Sequence, residues 1–573
     1  MANLSRRRLL HATGAAGAFG LLAGTPAQAL DRALRETVER TVTSAGTTLE
    51  TVGTPTGTGF RRLAAGPGWP VVVRPDLVAP LGSRDDRRTA LTSFVQFTDL
   101  HVIDAQSPAR VEYVHPFIGS AHRPQETLGT QGAAALVKRV NALPGGPYTG
   151  RDFDFVLCTG DNTDNHETIE LEWFLTVLNG GTITPNTGDP ARFEGVQNSR
   201  AQLYWNPGDS TADMYKAQGF PLAPELLANA IKPFTSAGLS RPWYSVFGNH
   251  DDSVQGTFPS GIPLVDAIYT GSLKIEGFAS ETEAERLAKA MRTSPLGAVE
   301  LLLSYTGPVR RVTPDSRRRP FTPRQYVAAH RDPANTGPGP AGHGFGPANA
   351  SGRDLYYTFD VAPGVVGIGM DTTNRAGLAD GSLGDGQLKW IERTLKAGSS
   401  RYYDSKGALV RTGATDTLFV LFSHHSSGSM DNLLPDPTNL LERRHDGPAL
   451  VALLNRFPNV VAWVNGHTHR NEILAHRGST PEQGFWEINT ASHIDFPHHA
   501  RIIELTDNGD GTLSLFTTLI EADSPYSTSF DDSSPAGLAS LYREIALNDL
   551  HADPDLLGSA VDRNTELLLA KPF

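Results

Sequence analysis

Five short stretches of this sequence place carboxylate, amide or imidazole side chains directly after an apolar run that is typical of a buried strand. They are Asp99-Leu100-His101, Gly160-Asp161, Gly248-Asn249-His250-Asp251, Ser423-His424-His425 and Gly466-His467-Thr468-His469. In α/β proteins ligands bind at the carboxyl ends of the strands, so we expect these side chains to converge. Their mixed nitrogen and oxygen donors suit Zn, Mn or Fe better than Mg or Ca. The pattern therefore predicts two metal ions that share a carboxylate.

The elements that would position these side chains alternate along the chain. Strand-like runs cover residues 93–98, 155–158, 243–247, 364–369, 417–422, 460–465, 484–490, 500–505 and 512–519. Amphipathic helical patterns cover 131–143, 385–397 and 447–457, and another helix is expected from Ser534-Pro535 onward. The Asx- and Gly-rich residues 507–511 are a hairpin signal. This alternation predicts an α/β fold.

The series Asp-x-His, Gly-Asp-x-x-Asp, Gly-Asn-His-Asp, His and Gly-His-x-His resembles the calcineurin-like metallophosphoesterase superfamily, and the resemblance spans roughly residues 93–519. It implies a two-sheet αββα sandwich with a dinuclear metal site and two divalent or trivalent ions. One ion would be held by Asp99, His101, Asp161 and His469. The other would be held by Asp161, Asn249, His424 and His467.

The choice between His424 and His425 needs a separate argument. Neighbouring residues of a strand face opposite sides, so only one of the two is expected to bind a metal ion. We favour His424, because it continues the strand and matches the ligand position of the resembled family. His467 and His469 alternate along an extended segment, so their imidazoles are expected to point to the same side.

His250 follows the predicted ligand Asn249 and is expected at the rim of the site. An imidazole there can stabilise phosphoryl oxygens or protonate a leaving alkoxide. Asp164 is placed to orient and charge-stabilise His250, although an Asx-turn after Asp161 is an equally good interpretation. A further polar group, formed by His493, Asp495, His498 and His499, fits either the lining of the pocket or a hairpin surface.

The resemblance implies direct hydrolysis of a phosphomonoester or phosphodiester by a bridging hydroxide, without a covalent intermediate. Two alternatives stay open. One is a dinuclear hydrolase of a non-phosphate ester or amide, although such enzymes usually begin with an early His-x-His pair. The other is a non-catalytic, metal-stabilised envelope protein that binds a partner through its long insertions.

The N-terminus predicts export. Ser5-Arg6-Arg7-Arg8-Leu9-Leu10 precedes a short Ala/Gly/Leu run and an Ala27-Gln28-Ala29 cleavage pattern, which together resemble a bacterial twin-arginine signal. We therefore expect the twin-arginine machinery as a partner and a periplasmic, extracellular or cell-wall location. No stable transmembrane segment is expected after cleavage, because the run is too short. The net charge of −12 gives no electrostatic footprint for nucleic acid.

The predicted organisation has four parts. Residues 1–29 are the signal, 30–90 an N-terminal extension, 91–520 the metallophosphoesterase domain, and 521–573 a C-terminal helical tail. Insertions at about 167–242 and 252–362 contain none of the motifs and are expected to wall the pocket. The single cysteine, Cys158, excludes an intramolecular disulfide and is expected to be a small buried hydrophobe.

Overall fold

The structure, a computed structural model, describes residues 39–40, 47–81, 84–259 and 263–573. The predicted signal at 1–29 therefore lies outside the described residues. The described chain is a mixed α/β protein with two large mixed sheets, one of eight strands and one of six. None of the helices in this part of the chain is both long and apolar enough to cross a membrane.

The strands of the two large sheets are numbered here in chain order. They are β1 (Glu39–Arg40), β2 (Val71–Arg74), β3 (Thr89–Phe97), β4 (Phe155–Cys158), β5 (Trp243–Ser245), β6 (Tyr357–Ala362), β7 (Val365–Gly369), β8 (Leu418–Phe422), β9 (Val460–Asn465), β10 (Glu472–His476), β11 (Phe485–Asn489), β12 (Ala500–Asp507), β13 (Thr512–Ile520) and β14 (Thr565–Ala570).

The first sheet has the order β1-β2-β14-β13-β12-β3-β4-β5, and the second has the order β6-β7-β8-β9-β11-β10. Strands β3, β4 and β5 run parallel, as do β7, β8, β9 and β11. Strands β4, β8 and β9 are buried at every residue, as expected for parallel strands covered on both faces. All the predicted metal ligands follow strands of these two parallel groups.

The described α-helices are α1 (Gly129–Ala142), α2 (Thr168–Asn179), α3 (Leu226–Ala230), α4 (Pro263–Tyr269), α5 (Glu281–Thr293), α6 (Pro295–Leu303), α7 (Pro323–His330), α8 (Asp385–Ala397), α9 (Gly447–Leu454) and α10 (Pro535–Leu547). Six two-stranded pairs join Glu50–Pro55 to Arg61–Ala65, Gly181–Ile183 to Phe234–Ser236, Ser253–Val254 to Phe258–Pro259, Leu273–Ile275 to Val309–Arg311, Leu383–Gly384 to Arg444–His445, and Arg401–Tyr403 to Leu409–Arg411.

The two large sheets share one hydrophobic core. The ring of Phe94 in β3 lies 5.6 Å from that of Phe422 in β8, in an edge-to-face contact. Helices α1 and α2 add Leu136 and Phe174 to the same core. Helices α8 and α9 pack their apolar faces into a second cluster, together with Trp463 of β9. The shared core packs the two sheets against each other, and the carboxyl ends of β3 and β9 lie side by side.

The predicted insertions and the predicted tail contribute elements to the two large sheets and to their core. Helix α2 falls within the predicted insertion 167–242, yet it buries Phe174 and Leu178 in the main core. Strand β6 falls within the predicted insertion 252–362, yet it pairs with β7. The predicted tail 521–573 is only partly helical, because β14 pairs with β13 inside the first sheet. Apolar runs as short as these can be buried only by pairing with an existing sheet or packing on it.

Candidate metal centre

The loops after five parallel strands bring the seven predicted ligands together. Asp99 and His101 follow β3, Asp161 follows β4, Asn249 follows β5, His424 follows β8, and His467 and His469 follow β9. Asp161 lies between the two predicted groups. Its Oδ2 is 3.7 Å from Nε2 of His101 and 3.1 Å from Nε2 of His424. This is the position that a shared carboxylate requires.

The first group surrounds Asp99. Its Oδ1 is 3.3 Å from Nε2 of His469 and 3.9 Å from Nε2 of His101. Among the described residues, Asp99, His101 and His469 form one of four overlapping triads whose ligand atoms lie within 4.8 Å of one another. The second group surrounds His424, whose Nε2 lies 3.2 Å from Nδ1 of His467.

The donor atoms in this cluster fit metal ions. Asp99 Oδ1, His101 Nε2 and Asn249 Oδ1 are buried and have no hydrogen-bond partner among the described residues. A buried polar atom without a partner costs about 1–3 kcal/mol, so such atoms are rare away from functional sites. Carboxylate, amide and imidazole donors together match ions that accept both oxygen and nitrogen. These three atoms are therefore candidate ligands of a cation.

His424 and His425 differ in how their rings are held. His424 Nδ1 bonds the carbonyl oxygen of Thr159 (3.0 Å), which leaves Nε2 facing Asp161. His425 Nε2 bonds the carbonyl oxygen of Ala379 (2.9 Å), and its Nδ1 is 2.8 Å from Oγ1 of Thr372. Although His425 also lies near His424 and His467, both of its ring nitrogens are occupied, so the geometry favours His424.

Each of the other ligating histidines is oriented by a carboxylate that faces its second nitrogen. His101 Nδ1 is 3.0 Å from Oδ1 of Asp164, and His469 Nδ1 is 2.6 Å from Oδ2 of Asp495. His467 Nε2 faces Oδ1 of Asp380 at 3.8 Å. Such outer carboxylates fix the tautomer and the ring orientation of a metal-binding histidine.

His250 lies beside the first group. Its Nδ1 bonds the carbonyl oxygen of Asp164 (2.9 Å) and is 3.3 Å from the Asp164 carboxylate. Its Nε2 is 3.9 Å from Oδ2 of Asp161, and its ring packs edge-to-face on His101 with centroids 4.4 Å apart. Asp164 therefore contacts both histidines, and its carboxylate is also paired with the buried guanidinium of Arg110. The prediction for Asp164 was too narrow, because its carboxylate is closer to His101 than to His250.

The charges of the carboxylates and imidazoles in the cluster depend on one another. Burial raises the pKa of Asp161, but the nearby His424 and His250 outweigh burial and hold that pKa well below its usual range. Burial, followed by the charge of His250, lowers the pKa of His101 to about 4, so this imidazole is neutral at neutral pH. These two groups are therefore in the protonation states that metal ligands require. Although burial opposes it, the charge of Asp161 raises the pKa of His424 and that of Asp99 raises the pKa of His469, each to about 9, so these two imidazoles would lose a proton on binding a metal ion.

The backbone around the ligands is unusual. Five of the seven ligands have positive φ angles, namely Asp99 (50°), His101 (40°), Asp161 (48°), His467 (70°) and His469 (55°). Two glycines of the motifs are required by close approach. A Cβ on Gly248 would collide with Asp161, and one on Gly466 would collide with Thr98 and Asp99. Asp251 ties two of the loops together, since its carboxylate accepts from the backbone amides of Thr163 (2.9 Å) and Gly248 (3.0 Å).

The sequence did not identify several contributors to the site. Arg110, Asp380 and the pairing of Asp495 with His469 came only from the structure. Asp495 also accepts two hydrogen bonds from Arg123, at 2.6 and 3.0 Å, and is 23% exposed. Asp251 stands within the Gly-Asn-His-Asp motif, which is the one local signal that could have drawn attention to it. His493 and His498, which the sequence allowed either in the pocket lining or on a hairpin surface, are buried against Tyr542 of α10.

No family model matches the chain, and neither does any of the curated proteins. Among solved structures, a dimetal phosphatase from Danio rerio is similar to this chain, with 10% sequence identity and a TM-score of 0.36. The match covers 76% of this chain and 98% of the phosphatase chain. A likeness at this level says nothing about chemistry, so the function proposed below depends on the side chains of this chain.

Proposed function

We propose that this protein is a metal-dependent hydrolase of phosphate esters, with two metal ions held in the sandwich arrangement that the motifs predict. The observation that carries the proposal is the cluster itself. Three buried donor atoms without partners lie among histidines whose other nitrogens are held by carboxylates or a carbonyl. Asp99, His101, Asp161 and His469 would hold one ion, and Asp161, Asn249, His424 and His467 the other. Mn, Fe and Zn are the candidate ions.

Two bound cations would supply an acidified water and would neutralise the phosphoryl oxygens. The protein's own groups supply the rest. The Nδ1–H of His250 donates a hydrogen bond to the carbonyl oxygen of Asp164, which turns Nε2 toward the cluster. Although burial lowers it, the charge of Asp161 and the contacts with Asp164 raise the pKa of His250, and in the resulting imidazolium Nε2 also bears a proton. His250 donates that proton to the departing alcohol oxygen as the P–O bond breaks. Water adds its oxygen and one hydrogen to phosphorus, and its other proton restores the protonated form of His250. The products are the alcohol and either phosphate, from a monoester, or a phosphate monoester, from a diester.

The test is hydrolysis of a paired chromogenic monoester and diester by the purified protein. Each ester is assayed with protein as isolated, after chelation, and after adding Mn, Zn or Fe. Asn249→Ala should abolish turnover and His250→Ala should reduce it, whereas His445→Ala, a histidine paired with Asp385 away from the cluster, should have no effect. Turnover that survives chelation in a folded protein would refute the proposal. Tight binding of two ions without hydrolysis of either ester would favour the binding-protein alternative.

We also propose that the protein is exported by the twin-arginine pathway to the periplasm or the cell exterior, on the strength of the sequence at residues 5–29. Replacing Arg6 and Arg7 with lysine should retain the protein in the cytoplasm, as judged by fractionation. Export that is unchanged by this double substitution would contradict the prediction.

A further inference from the structure

A cavity of about 250 Å³ opens beside the metal cluster. His250 and Asp380 both line it. His250 packs on His101, which belongs to the first group of ligands, and Asp380 faces His467, which belongs to the second. The cavity is therefore lined by one residue that contacts the first group of predicted ligands and by one that faces the second.

The walls of this cavity are largely apolar. Val111, Ala121 and Met291 are buried members of one hydrophobic cluster, and Ile118, Leu378 and Ala379 are the other apolar residues of the lining. The remaining lining residues are Ser120, His250, Gln255, Thr257, Arg292 and Asp380. Met291 belongs to α5, inside the segment predicted to wall the pocket. This part of the insertion thus contributes hydrophobic surface to the cavity. The neighbouring Arg292 also lines the cavity, is exposed, and donates a hydrogen bond to the carbonyl oxygen of Phe117 (2.8 Å).

The cavity is fixed to the loop that carries His250. Gln255 accepts a hydrogen bond from the amide of Val111 at Oε1 (2.7 Å) and donates one from Nε2 to the carbonyl of Ala121 (3.0 Å). Both ends of the Gln255 amide therefore hold the wall. A wall held in this way is already in place before any ligand binds, as is usual for small-molecule sites.

We propose that this cavity, the leaving-group pocket, binds the alcohol portion of the substrate, and that this portion is a compact, uncharged apolar group such as an aryl or branched alkyl group. The inference rests on the proposed hydrolase function. His250 must reach the departing oxygen, so the alcohol portion lies on the His250 side of the cluster. The volume lies below the usual range of roughly 300–1,000 Å³ for ligand pockets. Asp380 and Arg292 line the cavity with opposite charges, so neither an anionic nor a cationic group is favoured over an uncharged one.

Two measurements test the pocket separately from the hydrolase activity. The first is a fluorescence titration of the protein with 2-naphthol, which needs no turnover. Leu378→Asn should weaken binding roughly tenfold, the scale of a lost apolar contact in a pocket. Leu378 has a φ of 69°, a conformation that asparagine adopts more readily than leucine, so the variant is expected to fold. Ile118→Asn is the second variant, and Leu441→Asn, at a residue 99% exposed and outside the lining, is the control.

The second measurement compares kcat/KM for a 2-naphthyl ester with that for its 6-sulfonated analogue, in the ester class that turns over. Wild type should prefer the uncharged ester by tenfold or more, and Leu378→Asn should reduce this preference. Equal rates for the two esters, together with no saturable binding of 2-naphthol, would overturn the pocket while leaving the hydrolase function intact. Binding that is weakened by Leu378→Asn without hydrolysis of any ester would support an apolar ligand and overturn the hydrolase.

Discussion

Three carboxylates that face the predicted ligands should each affect the metal affinity of only one of the two predicted ion positions. Asp164 orients His101 and Asp495 orients His469, and both histidines belong to the first predicted ion. Asp380 faces His467, which belongs to the second. Asp164→Asn and Asp495→Asn should therefore weaken the same ion, whereas Asp380→Asn should weaken the other. This selectivity follows from the pairing of rings and carboxylates and does not depend on which metal is bound.

The sizes of these effects can be ordered from the structure. Loss of an outer carboxylate typically costs 10–100-fold in metal affinity, which is about 1.4–2.8 kcal/mol. The 2.6 Å contact of Asp495 with His469 is the shortest of the three, so Asp495→Asn should lie at the upper end. The 3.0 Å contact of Asp164 with His101 should follow. Asp380 is 3.8 Å from His467 and its side chain is 51% exposed, so its loss should cost less than roughly tenfold.

The assay is a competition titration of Mn²⁺ or Zn²⁺ against a chromophoric chelator, with the two binding steps resolved. Asp385→Asn is the matched control, because Asp385 also faces an imidazole, His445 at 3.2 Å, but outside the cluster. Its metal affinities should equal those of the wild type. The reasoning fails if Asp164→Asn and Asp495→Asn weaken different ions, or if neither differs from Asp385→Asn in a folded protein.

Two further predictions concern buried groups of the scaffold. Burial, followed by the charge of Asp164, raises the pKa of Glu170 to about 8. The stability that this group contributes is complete below about pH 4.5 and is lost as the pH rises toward 8, so the free energy of unfolding should fall over that range by more than about 1 kcal/mol relative to Glu170→Gln. Parallel pH profiles in chemical denaturation would contradict this. Cys158 is 1% exposed, and burial raises the pKa of its thiol, so it should react with a thiol reagent only in denaturant. Labelling of the native protein at the rate of a free thiol would show that β4 is not buried.

The strand ends were predictable because local pattern and turn chemistry agree there. The predicted helix 385–397 and strand 460–465 coincide with α8 and β9, since each apolar stripe has one period and a clear end. The pairings between the residues that surround the predicted ligands were not predictable. Arg110 and Asp164 are separated by 54 positions in the chain, and Asp495 and His469 by 26. The hydrophobic periodicity of a segment indicates that the segment is buried, but it does not indicate which distant loop packs against it.

Strand β14 was missed for a related reason. Its sequence, Thr-Glu-Leu-Leu-Leu-Ala, is a short apolar run that fits a helix or a strand equally well. The edge of β13 selects the strand, because all six residues of β14 pair with β13. This pairing also buries Leu567 and Leu569. A tertiary contact of this kind overrides a weak local preference.

The positive φ angles of five ligands show how the fold prepares the site. Left-handed backbone is uncommon outside glycine, although Asp and His tolerate it better than most residues. It persists where surrounding contacts fix it, and here the loops hold one another. The Asp99 amide donates to the carbonyl of Gly160 (3.1 Å), and the His101 amide donates to the carbonyl of Asp161 (2.9 Å). The His467 amide in turn donates to Oδ2 of Asp99 (3.2 Å), which joins the loop after β9 to the loop after β3. The two sheets therefore fix the ligand geometry through the backbone, and a cation would bind a site whose shape the fold already imposes.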